Sequence, residues 1–120
     1  MEATGKLTEA VHAEDLEAAR LALNAGADPN HLENANSDSI LNNAVTWIED
    51  PDLRKAMTKL LLESGADPNL MQDENRVPLY AALKHRDVDL VRLLLDFGAN
   101  PNLVGDGPES IYDNAEFNYL

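Results

Sequence analysis

Three leucine-rich runs set the rhythm of the chain, Leu21-Ala22-Leu23, Leu60-Leu61-Leu62 and Leu93-Leu94-Leu95. Each lies in a stretch whose apolar residues recur at helical spacing, as Leu16, Ala19, Leu21 and Leu23 do in the first, with polar residues between them. Each run then gives way to the same five-residue phrase: Gly26-Ala27-Asp28-Pro29-Asn30, Gly65-Ala66-Asp67-Pro68-Asn69 and Gly98-Ala99-Asn100-Pro101-Asn102. Glycine sits where a helix ends in a left-handed residue, and the proline forbids the helix to continue. Upstream of each run, a bulky residue and an alanine three positions later mark a first helix: Leu7 and Ala10, Leu41 and Ala44, Leu79 and Ala82. Tyr112 and Ala115 repeat that mark near the C-terminal end. The pattern predicts seven helices and three intervening turn segments, with almost no sheet. A single helix pair could not bury its apolar face, whereas stacked pairs can.

The phrase glycines are 39 and then 33 residues apart, and the second interval is the period of a repeat built from two antiparallel helices and a projecting β-turn finger. Val77-Pro78-Leu79-Tyr80-Ala81-Ala82 resembles the Thr-Pro-Leu-His-x-Ala opening of the ankyrin repeat, and Val88 to Leu95 resembles its second helix. The resemblance covers about residues 5–118. It implies an all-α ankyrin-repeat solenoid of about three and a half repeats forming one domain over residues 1–120. The repeats fall at about 5–30, 31–69, 70–102 and a C-terminal half repeat at 103–120. The first repeat lacks a finger and keeps Lys6, Glu14 and Glu17 polar, as a cap facing water should. Residues 31–39 form the first finger, one residue longer than usual, and residues 70–76 the second. Asn34 or Asn36, and Asn75, can take the positive-φ positions there. Tyr80 replaces the usual histidine and is expected to pack between repeats.

The second repeat breaks the regularity. From Leu41 to Gly65 there are 24 residues, against 19 from Leu7 to Gly26 and from Leu79 to Gly98. The five extra residues are expected near 45–53, between the paired helices, lengthening the first helix or bulging its loop. Asp50 before Pro51 reads as an N-cap with proline at the first helical position, so the second helix should start there. The insertion places Trp47, the only tryptophan, and Ile48 at the edge of the stack. Tryptophan is strongly enriched among interface hot spots, and insertions in repeat arrays fall on functional rims; local packing over a longer helix pair is the alternative.

Charge narrows the partners. Nine basic residues against 22 acidic ones give −13, which repels nucleic acid and anionic membranes and favours a basic protein surface. The chain has no cysteine, so disulfides and thiolate metal sites are excluded. No apolar stretch approaches the length of a membrane span, and Met1 to Ala10 has no signal-peptide apolar region. A cytoplasmic location is expected, with a periplasmic or exported one as the alternative where a signal peptide has been removed.

Catalytic chemistry finds no foothold in the sequence. His12, His31 and His85 are isolated from one another, and no metalloprotease, nucleophile-elbow, P-loop or dinucleotide motif is present. The acidic residues near 31–38 lack the glycine and terminal glutamate of a calcium loop. No catalytic residue, metal or cofactor is expected, and the chain is read as a non-enzyme, monomeric when alone. What the resemblance implies instead is a rigid concave surface that binds another protein. Its candidate contacts are Leu32 and Glu33 after the first phrase, Thr46, Trp47 and Ile48 in the insertion, and Met71, Asp73 and Glu74 in the second finger. Lys84, Val104, Asp106 and Phe117 complete the set. The chain also resembles small bacterial ankyrin proteins that protect their owner from enzymes, cell-wall hydrolases included. That resemblance implies an inhibitor or immunity-type protein masking a basic or cationic cleft, with a non-inhibitory adaptor as the alternative.

Overall fold

The computed structural model describes residues 2–32, 39–70 and 77–101. They form six helices: α1 (Glu2–His12), α2 (Leu16–Asn24), α3 (Ile40–Trp47), α4 (Pro51–Glu63), α5 (Pro78–Lys84) and α6 (Val88–Asp96). The odd-numbered helices pack in order against one another, as do α2, α4 and α6, so the stack has an inner and an outer layer. No strand occurs among the described residues. The seventh helix expected near 109–115, and most of the fingers, lie outside them. None of the helices is long and apolar enough to cross a membrane.

Five of the six helices, α2 to α6, start for a local reason. Asp15, Ser39, Asp50 and Asp87 each accept a backbone N–H from the first turn of the helix that follows, at 2.9–3.5 Å. α5 has no side-chain cap and opens instead on Pro78, whose fixed φ suits that position. The outer helices also end alike. Gly26, Gly65 and Gly98 take φ of 96–102°, a region that a β-carbon disfavours. The next amide closes the motif onto the helix, Ala27 to Ala22 O, Ala66 to Leu61 O and Ala99 to Leu94 O, at 2.9–3.0 Å.

Between the layers runs one core. Leu7, Leu41 and Leu79 and the alanines Ala10, Ala44 and Ala82 are buried on the inner helices; Met57, Leu61, Leu90 and Leu94 face them from the outer ones. The repeated phrases are tied to each other through their last residue. Asn30 donates from Nδ2 to Gly65 O at 3.0 Å and accepts the Asp67 N–H at 2.7 Å. Asn69 does the same one repeat on, to Gly98 O and from the Asn100 N–H. The phrase therefore ends the helix with its glycine and joins repeats with its asparagine.

The extra residues of the second repeat correct the expectation placed on them. α3, with eight residues, is one longer than α5, and the link to α4 is no longer than the other links. α4 instead has 13 residues where α2 and α6 have nine. The insertion is almost entirely one added turn at the start of the outer helix, where Asp50 and Pro51 begin it.

Candidate functional site

Three short links turn each inner helix into its outer partner, residues 13–15, 48–50 and 85–87. Because the helices stack in register, these links line one edge of the molecule and the five-residue phrases line the other. The first and third links are built alike. Glu14 and Arg86 hold φ of 58° and 57°, and Asp15 and Asp87 then bond back to Ala10 O and Ala82 O while capping the next helix. In that corner a non-glycine residue carries the left-handed conformation. The second link has no such residue: Ile48 leaves α3 extended, with φ −77° and ψ 115°.

Arg54 takes over at that point. It stands on the added turn of α4, with only 6% of its surface exposed. Its Nη1 donates to Ile48 O at 2.9 Å and to Glu49 O at 3.4 Å, satisfying the carbonyls that the open corner leaves. Its Nη2 lies 3.2 Å from Asp87 Oδ2, while the other oxygen of Asp87 caps α6. One guanidinium thus ties the second link to the third, with charge-assisted hydrogen bonds and planar geometry that a lysine could not reproduce.

The backbone held this way presents two neighbouring side chains in opposite senses. Trp47, the last residue of α3, is 66% exposed. Ile48, expected at the edge beside it, is 1% exposed and belongs to the core, because the extended backbone after the helix turns it inward. Thr46 is half-buried next to Trp47. Lys84 is exposed at the end of α5, its Nζ 5.5 Å from the centroid of the Tyr80 ring one turn earlier. Counting from Leu41 and Leu79, Thr46 and Lys84 occupy the same step of adjacent inner helices, so the structure brings Thr46, Trp47 and Lys84 to one edge.

Leu32 is half-buried and follows the first phrase, on the far side of the stack from Trp47. Glu33, Met71, Asp73, Glu74, Val104, Asp106 and Phe117 lie outside the described residues. Among those described, Leu21 and Phe97 are the other exposed large apolar side chains, at 60% and 40%, in α2 and just after α6 in the outer layer. No group of three His, Cys, Asp or Glu stands close enough to hold a metal among the described residues. Trp47 is therefore the one large exposed apolar side chain that the described inner helices offer. Arg54 was absent from the sequence-derived candidates, although its register marks it. Counting back 11 residues from each phrase glycine gives Asp15, Arg54 and Asp87, a cationic residue where the other two repeats place a capping aspartate.

A family model for ankyrin repeats, spanning three copies, matches residues 7–105. No curated protein matched the chain.

Proposed function

The chain belongs to the ankyrin-repeat family, a protein–protein interaction module, and from that premise we propose that it is a stoichiometric inhibitor, of the immunity type, that masks a partner enzyme. The observation that carries this reading is Trp47. An indole two-thirds exposed at the end of a rigid helix, with the two backbone carbonyls that follow it held by Arg54, presents a large apolar surface with little left to order on docking. The net charge of −13 supports an enzyme with a cationic cleft, a toxin or a hydrolase such as one that acts on cell walls. In this reading the protein is a cytoplasmic monomer that meets its target one to one.

Affinity capture from the native organism, with wild type and Trp47→Ala in parallel and an activity assay on whatever is retained, tests it. The expected result is one enzyme silenced by wild type and released by the variant, while the variant melts within a few degrees of wild type. Retained proteins that keep full activity when bound would sink the inhibitory reading. An adaptor reading draws on a different residue, Leu21, whose exposure on the outer layer offers a second face. Two partners held at once, one of them lost on Leu21→Ser, would establish it instead.

A further inference from the structure

We propose that Trp47 and Lys84 together form a seat for an acidic anchor of the partner protein. An apolar side chain of the partner lies on the indole, and an aspartate or glutamate two positions along the same extended segment meets the ammonium. The proposal rests on the protein-binding reading above and deepens it by giving the chemistry of the contact at Trp47.

The net charge of −13 governs approach, but within about 8 Å, a Debye length at physiological salt, the groups at the contact decide its sign. Five residues of α3 and α5 are not buried: Asn43, Thr46 and Trp47 on the first, Tyr80 and Lys84 on the second. None is a carboxylate, and Lys84 is the one charge. On the other side of α3, α1 exposes Glu9 at the step of Asn43, about one turn before Trp47. The second link, beyond the end of α3, is acidic on balance, with Glu49, Asp50 and Asp52 exposed against Lys55. The third is mixed, with Asp89 exposed beside His85 and Arg86, and Arg86 is already engaged within the chain. Asp73 and Glu74 of the second finger lie outside the described residues. Glu49 thus disfavours a carboxylate on the link side of the indole and leaves the α5 side, where Lys84 stands.

Lys84 is equipped for that carboxylate. Its ammonium makes no ion pair among the described residues. Its contact there is the Tyr80 ring, and a cation beside a ring keeps N–H donors for an oxygen. Thr46 and Lys84 share a step on neighbouring helices, and packed helices stand about 8–10 Å apart. Side chains two apart on an extended segment share a face at about 7 Å. An apolar residue over Trp47 therefore brings an acid two positions on within reach of the flexible lysine stem. A basic residue in that place would meet like charge.

Trp47 is the only tryptophan, and its emission reports on the seat directly. The probes are end-blocked synthetic peptides of equal length, without aromatic residues and alike except at the anchor, which reads Leu-Ser-Asp, Leu-Ser-Asn or Leu-Ser-Lys in a glycine–serine frame. We expect the aspartate peptide to shift Trp47 emission saturably at a few-fold lower concentration than the asparagine peptide, as an exposed ion pair allows, with the lysine peptide weakest. Lys84→Glu should reverse that order with the far-ultraviolet dichroism unchanged. A lysine peptide that binds wild type as well as the aspartate one, an order that Lys84→Glu leaves unchanged, or no saturable shift at millimolar peptide would overturn the seat. The outcome is separable from the inhibitory reading. A captured enzyme silenced equally by wild type and Lys84→Glu would remove the seat and leave inhibition standing; aspartate-selective binding without any silenced enzyme would do the reverse.

Discussion

At the scale of single residues, register within the repeats assigns most side chains their place and also exposes a misfit. Seven positions before each phrase glycine stand Ala19, Thr58 and Val91, all buried. Alanine and valine need nothing there, but the Thr58 hydroxyl has no hydrogen-bond partner among the described residues. A buried hydroxyl left unpaired costs about 1–3 kcal/mol, so Thr58→Val, which supplies the third repeat's residue at nearly equal volume, should stabilise the fold by about 1 kcal/mol. Chemical denaturation measures this, and a loss of stability would mean that the hydroxyl is satisfied. The buried leucines and alanines were legible from their period alone, because a helix with one apolar stripe has one way to face the core. Ile48 was not. Its sequence neighbour Trp47 shares its apolarity, and which of the two turns inward depends on where α3 stops and the chain becomes extended.

At the scale of elements, the signal for the longer outer helix was present in the sequence but was outweighed by the apparent position of the insertion. Asp50 and Pro51 start α4, and from that start to Gly65 the chain has room for one turn more than α2 or α6. What a sequence pattern does not display is the consequence, that a turn added at the start of an outer helix lifts Arg54 out of the capping position and points it at the open corner of α3. The guanidinium then replaces, with three hydrogen bonds, the backbone corner that Glu14 and Arg86 provide elsewhere. Removing one member of a buried ion pair leaves the other uncompensated, and such losses run to about 3–5 kcal/mol. Arg54→Ala should fall in that range and should raise the solvent quenching of Trp47. Arg54→Lys should recover only part of the loss, since an ammonium cannot reach two carbonyls and a carboxylate in one plane. A loss under about 1 kcal/mol for Arg54→Ala would mean that the pair behaves like a solvated surface bridge.

At the scale of the whole molecule, the repeats are joined unequally. Between the second and third, Asn69 stitches the phrase edge and Arg54 with Asp87 stitches the link edge. Between the first and second, Asn30 stitches the phrase edge, and no ion pair joins the links among the described residues. The outer helices compound the difference. α2 turns Ala18, Ala19 and Ala22 toward the core at the steps where α4 has Met57, Thr58 and Leu61 and α6 has Leu90, Val91 and Leu94. In a stacked array each repeat is held chiefly by its neighbour, so the first should open locally well before the array unfolds as a whole. Native-state hydrogen exchange should then find the amides of α2 less protected than those of α4 and α6. Asn30→Ala, which deletes two hydrogen bonds on the weaker interface, should lower α2 protection by about 1–2 kcal/mol while leaving α6 unchanged. Uniform protection across all three outer helices, or an equal drop in α6, would mean that the chain opens as one unit and that these unequal stitches do not set its local stability.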